Sequence, residues 1–138
     1  MEELFIIKVL RKKANGRVMY RSNKKAYFID PFLYRVMKLY SSGKKEIGEE
    51  EMPRVAEGAV GSSLLRRNED VYYWSTSAGR EVDFIYKNVG VEVKYGSASF
   101  SDLNSERGYI VSRENELKID GEGKKLMLPL SIFLYLIS

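Results

Sequence analysis

Apolar and polar positions alternate in short runs over the first third of the chain. The stretch Leu4-Phe5-Ile6-Ile7-Lys8-Val9-Leu10 is β-prone, and Asn15-Gly16 supplies a tight turn before Val18-Met19-Tyr20, so a β-hairpin is predicted. Beyond Ala26-Tyr27-Phe28-Ile29-Asp30 the period changes. Apolar residues at 32, 33, 36, 37, 39 and 40 recur at helical spacing, with Asp30 placed to cap and Pro31 at the first helical position. Residues 41–52 are rich in Ser, Gly, Lys and Glu and read as a linker. A second helix is predicted from Pro53 to about Arg67, with Ala56, Val60 and Leu64 as its buried stripe. Three β-prone segments follow at 71–76, 80–86 and 89–95. The stretch 97–107 has room for a short helix, 108–111 reads as a strand, and 126–137 as one buried terminal element. There is no internal repeat and no low-complexity tract.

Two of these strands carry an unusual mix. Alternation in Arg80-Glu81-Val82-Asp83-Phe84-Ile85-Tyr86 puts Glu81, Asp83 and Ile85 on one face, with Val82, Phe84 and Tyr86 on the other. In Gly90-Val91-Glu92-Val93-Lys94-Tyr95 it puts Glu92 and Lys94 opposite the apolar set. A two-residue turn at Lys87-Asn88 would set Asp83 directly across from Glu92, and Glu81 across from Lys94. Two like charges about 5 Å apart destabilise a plain sheet, so a cation is expected beside them: Lys94, an arginine or a metal ion. Glu57 lies three, four and seven residues before Val60, Gly61 and Leu64, at the edge of the helix's apolar stripe. Gly58 and Gly61 would let that helix approach the sheet closely and bring Glu57 over the acidic patch.

Composition narrows the chemistry. The 138 residues suffice for one domain of ordinary size, and 44% of them are hydrophobic, enough for a real core. With no cysteine and no histidine, disulfides, thiol catalysis, thiolate zinc sites and imidazole bases are excluded. Catalysis would have to run on carboxylates, lysine, tyrosine or serine. A hard divalent cation such as Mg²⁺ or Mn²⁺ suits a carboxylate set of this kind, because it takes oxygen ligands and keeps several waters. The net charge of +4 favours an anionic partner. No apolar run approaches the roughly 20 residues that span a bilayer, and the acidic start Met1-Glu2-Glu3 does not open a signal peptide, so a cytoplasmic protein with no membrane association is expected.

The run Glu-Val-Asp-Phe-Ile followed by Val-Glu-Val-Lys, behind a helix bearing a glutamate, resembles the PD-(D/E)XK nuclease superfamily. More specifically, Val71-Tyr72-Tyr73-Trp74-Ser75-Thr76, the runs 79–85 and 91–96, the upstream 24–31 and the terminal Leu128-Pro129-Leu130 are similar to the C-terminal domain of prokaryotic and archaeal AAA+-type ATPases. The resemblance implies an α/β fold with an αβββαβ core, a mixed sheet flanked by helices, and a small N-terminal hairpin-helix extension. It divides the chain at about residue 45: residues 1–45 as hairpin and helix, a winged-helix remnant, and residues 46–138 as the nuclease-like domain. It implies Asp83 and Glu92 as metal ligands, Glu57 as an additional ligand and Lys94 as the catalytic lysine. The proline that precedes the first acid in the family is Val82 here. No G-x-x-x-x-G-K-[ST] loop is present, so the chain has no ATP site of that type and reads as an excised C-terminal piece or a short standalone relative.

The expected function is a metal-dependent nuclease or nuclease-like DNA-binding domain. Its rivals are a catalytically inactive regulatory or docking domain of an ATPase system, and a structural homo-oligomer built on the hydrophobic C-terminus. The cations Arg11, Lys12, Lys13, Arg17, Arg21, Lys24 and Lys25 gather around the first hairpin, where they fit phosphate contacts as well as an ordinary solvated hairpin. Trp74 is expected in the core, and Glu81 as an ion-pair partner of Lys94.

Overall fold

A computed structural model describes residues 7–68 and 70–138. It is a mixed α/β fold. Strand β1 (Ile7–Ala14) turns through Asn15 and Gly16, both left-handed at φ 49° and 74°, into β2 (Arg17–Met19), as the Asn-Gly dipeptide requires. Residues 4–6 of the expected first strand lie outside the described residues. Strand β3 (Lys25–Phe28) pairs antiparallel with the other half of β1, Ile7 opposite Phe28. Helix α1 (Pro31–Ser42) follows, its start fixed by the Asp30 carboxylate accepting from the Phe32 amide at 2.9 Å and its end by left-handed Gly43. It buries no residue fully, and Phe32 and Tyr40 are largely exposed.

Helix α2 (Met52–Arg67) carries the expected stripe, with Ala56, Val60 and Leu64 all buried. It leads to β4 (Val71–Ser75), β5 (Glu81–Tyr86) and β6 (Val89–Lys94), then through one 3-10 turn (Phe100–Asp102) to β7 (Gly108–Ser112), β8 (Lys118–Ile119) and β9 (Lys125–Pro129). The strands form one sheet in the order β2-β1-β4-β5-β6-β7-β9-β8, with β3 paired to β1 off that path. Neighbours β1/β4, β6/β7 and β7/β9 are parallel; the other pairs are antiparallel. The N-terminal hairpin therefore adds to the same sheet as the later strands.

The terminal stretch read as one buried element is two. The chain leaves β9 at Pro129 and forms helix α3 (Leu130–Ile137), in which Phe133 is buried while Tyr135 and Leu136 are mostly exposed. A proline at the boundary ends the strand because it cannot donate to the ladder, and its fixed φ suits entry into a helix. Likewise the short helix expected in 97–107 is only the 3-10 turn.

Two apolar clusters sandwich the sheet. On the α2 side Leu10, Val60, Leu64, Val71, Tyr73, Phe84, Val91, Val111, Leu128 and Phe133 pack together. On the far side Val82, Leu103, Ile110 and Met127 do so, with Trp74 and Ile85 against them, so Trp74 is a core contact as expected. The helix approaches the sheet through one of its two inner glycines. A Cβ at Gly61 would come within 2.9 Å of the Phe84 ring, whereas one at Gly58 would meet nothing within 4 Å. No helix among the described residues is long and apolar enough to cross a membrane.

Gly61→Val is expected to lower stability by about 1–3 kcal/mol, because the branched side chain must push the fully buried Phe84 aside. A urea titration would read this as a fall in midpoint at unchanged slope.

Candidate metal centre

The site is built on an irregularity in the sheet. Between β4 and β5, Tyr72 lies opposite Ile85 but Trp74 opposite Val82, so Asp83 and Phe84 together face the single residue Tyr73. Such a bulge breaks the alternation of side chains. Phe84 packs on the α2 side against Tyr27, ring centroids 5.4 Å apart, and Asp83 turns to that same side, while Val82 and Ile85 join the far cluster. This corrects the expectation from strict alternation that Asp83 and Phe84 occupy opposite faces.

The β5–β6 hairpin has the two-residue turn that the sequence suggested. Lys87 and Asn88 are both left-handed, at φ 48° and 63°, and the register runs Tyr86 opposite Val89 to Phe84 opposite Val91. Past that pair, carboxylates take over from the backbone ladder. The Asp83 amide donates to Glu92 Oε2 at 3.3 Å, and the Val93 amide donates to Asp83 Oδ2 at 2.9 Å.

Glu57, Glu81 and Asp83 each present an oxygen within 4.8 Å of the others. Glu57 reaches the group from α2, one residue after buried Ala56; Glu81 and Asp83 come from the bulged strand. Lys25 of β3 enters among them. Its Nζ is 3.2 Å from Glu57 Oε1 and 3.6 Å from Asp83 Oδ1, it donates to Glu81, and it lies 5.4 Å from the centre of the Tyr73 ring. Tyr27, two residues on, donates its hydroxyl to Glu57 Oε1 at 2.7 Å. Alternation along β3 puts Lys25 and Tyr27 on one face, directed at the cluster.

Two expected members stand elsewhere. Val91 and Val93 belong to the α2-side core, and Gly90 faces Leu103 and Ser105 on the far side, so Glu92 between the valines leaves β6 away from α2. It touches Asp83 only through the amide and is outside the carboxylate trio. Lys94 leaves on the same far side and pairs with Asp102 of the 3-10 turn at 4.0 Å. Glu81 accordingly pairs with Lys25, not with Lys94. Of the hairpin cations, Arg11 and Lys13 lie over the rings of Tyr20 and Tyr72, and Arg17 and Lys24 are exposed. Sequence reasoning placed Lys25 among the hairpin cations as a phosphate contact, not among the acids, and missed Tyr27. The one signal was the demand for a cation beside paired acids, which pointed to a positive charge without saying where in the chain it lies.

The electrostatics follow from burial. Burial and the charge of Glu57 push the Asp83 carboxyl up to about 6, against the opposing pull of the Val93 amide and Lys25. Burial and then Asp83 push Glu92 up to about 8, partly offset by the Asp83 amide and Lys94. Burial works against the Lys25 ammonium, but the hydrogen bond to Glu81 and the charges of Glu57 and Asp83 outweigh it and hold its pKa well above the ordinary lysine range. Burial and Glu57 likewise raise Tyr27 far above the ordinary tyrosine range, so it serves as a hydrogen-bond donor.

Three carboxylates against one ammonium leave the group short of positive charge. The donors are all hard oxygens, the set that Mg²⁺ and Mn²⁺ favour, so the residues present fit a divalent cation. Fold and site together define a mixed α/β domain with a cluster of three carboxylates at the junction of its sheet and helix α2. The chain belongs to the family described as Domain of unknown function (DUF4143), whose match covers residues 53–132. Domains of this family occur as C-terminal extensions of AAA+ ATPases. No curated protein and no solved structure matches the chain.

Lys25→Met is expected to cost about 1–3 kcal/mol at pH 8, since three carboxylates lose their shared counter-charge. Added Mn²⁺ should restore much of that loss, and thermal unfolding with and without Mn²⁺ reads both. A second expectation concerns pH. A carboxyl with a raised pKa stabilises the fold while protonated, fully so below its ordinary 4.5, and that contribution is lost as pH rises through about 8. Glu92→Gln should therefore leave stability near pH 4.5 almost unchanged and raise it at pH 9, by up to about 5 kcal/mol. Urea midpoints across that range would test it; a constant difference would show that Glu92 does not titrate in this window.

Proposed function

We propose that this domain hydrolyses phosphodiester bonds in nucleic acid with the help of a divalent cation. The observation that carries the reading is the convergence of Glu57, Glu81 and Asp83 from a helix and a bulged strand around one point, with the Lys25 ammonium beside them. In this reading Glu57, Glu81 and Asp83 hold Mg²⁺ or Mn²⁺, which supplies charge to the phosphate and acidifies a water. Lys25, on the edge of the trio, orients the phosphate or the water. Glu92 braces the Asp83 backbone from behind through its hydrogen bond. The succession α2, β4, β5, β6, β7, with β6 and β7 parallel, supports an αβββαβ core of the PD-(D/E)XK type, the 3-10 turn standing where that order has its second helix. The exposed hairpin cations Arg17 and Lys24, with Arg11, Lys12 and Lys13, extend a surface that suits a phosphate backbone, and an ATPase domain is the natural companion of the chain.

One observation favours a second reading. Lys25 contacts all three carboxylates, so the cluster is partly neutralised without a metal, as befits a docking domain of an ATPase system that has no catalytic step.

Cleavage of single-stranded, linear and branched DNA in Mg²⁺ or Mn²⁺ decides between them. On the first reading the wild type cuts, and Asp83→Asn or Glu81→Gln lowers the rate by at least about a hundredfold. On the second, no DNA is cut, and calorimetry finds no Mn²⁺ bound to the wild type.

A further inference from the structure

Beside the carboxylate cluster lies a cavity of about 460 Å³ between β3, the start of α1 and the first turns of α2. Its wall is aromatic and mostly apolar, with Tyr27 and Tyr34 on one side and the bare backbone of Gly58 on the other. Both phenols are anchored by carboxylates, Tyr27 to Glu57 at 2.7 Å and Tyr34 to Glu51 at 3.4 Å, so the rings are held in place rather than free to fill the space. Lys25 and Glu57 belong to both cavity and cluster, and exposed Arg54 adds a second positive charge to the lining. Gly58 is the position where the helix leaves room: a Cβ there would meet nothing within 4 Å, in contrast to Gly61 one turn on.

We propose that this cavity receives one unpaired nucleobase of the strand whose phosphate lies at the carboxylate cluster, which makes single-stranded nucleic acid, or a duplex end with an unpaired nucleotide, the substrate class. The inference rests on the phosphodiester reading above and deepens it. A flat aromatic ring beside anchored tyrosines gains stacking energy whatever its sequence, and the exposed Arg54 guanidinium adds a positive charge at the cavity for a flanking phosphate. A base inside a duplex cannot enter such a cavity without leaving its stack, so a paired strand would have to open first.

The test uses a single-stranded DNA pentamer and the same pentamer lacking its central base, each titrated against the full chain in Ca²⁺ in place of Mg²⁺ to suppress cleavage. The wild type should bind the intact pentamer about tenfold more tightly than the abasic one, the range expected for one stacked base. Gly58→Leu, whose side chain extends into the open space, should bind both pentamers equally and as weakly as the wild type binds the abasic one. Gly58→Ala, which adds one methyl group, should keep most of the discrimination. Equal binding of both pentamers by the wild type, no binding of either, or unchanged discrimination in a folded Gly58→Leu would overturn the subsite. Failure of the parent reading is read separately, by Mn²⁺ calorimetry of the wild type and Asp83→Asn: Mn²⁺ bound by the first alone, together with DNA cleavage, would leave the metal centre standing while the base subsite falls.

Discussion

The bulge that sets Asp83 and Phe84 against the single residue Tyr73 is the constraint from which the rest of the site follows. Without it, a regular strand would send one of these two side chains to each face. With it, the most buried aromatic ring of the core and the most buried acid of the cluster turn to the same side of the sheet. Phe84 then seats helix α2 through Gly61, and that seating carries Glu57 to Asp83. The apolar contact and the acidic one are thus produced by a single backbone irregularity, and a change that regularised the strand would remove both.

Holding three carboxylates at the margin of a core is costly in itself, and the structure meets the cost locally. The Val93 amide serves Asp83, the Tyr27 hydroxyl serves Glu57, and Lys25 serves all three. Glu92 resolves the same problem differently. On the far side of the sheet, burial and the charge of Asp83, only partly offset by Lys94, hold it in the range where it stays largely protonated at neutral pH. Two acids that sequence reasoning placed together are therefore in different states: Asp83 belongs to the charged group gathered around Lys25, and Glu92 supports its backbone.

Element by element, local chemistry was legible where it is decided locally. Asp30 and Pro31 start α1, Asn15-Gly16 and Lys87-Asn88 make two-residue turns, and Ala56, Val60 and Leu64 form the buried stripe of α2. The register of the β5–β6 hairpin follows from its turn length. At the C-terminus the apolar run 126–137 looked continuous because strand and helix are equally greasy there, and only the proline at 129 marked the change.

For the candidate site, the sequence by itself determined the chemistry: carboxylates with no histidine or cysteine, a glutamate beside the apolar stripe of a helix, and two acids on adjoining strands that require a nearby cation. Tertiary structure decided the membership. A bulge cannot be read from alternation, because both strands keep plausible patterns with or without it, and it is the bulge that admits Glu81 and Asp83 while Glu92 and Lys94 leave by the other face. The identity of the cation was likewise a matter of packing. Lys25 stands in a basic run that looks like any solvated hairpin, and it reaches Glu57 and Glu81 across 32 and 56 positions of chain because β3 pairs with β1 and lies beside α2. Periodicity registers neighbours a few residues apart, and contacts of that span are fixed only when the whole core closes.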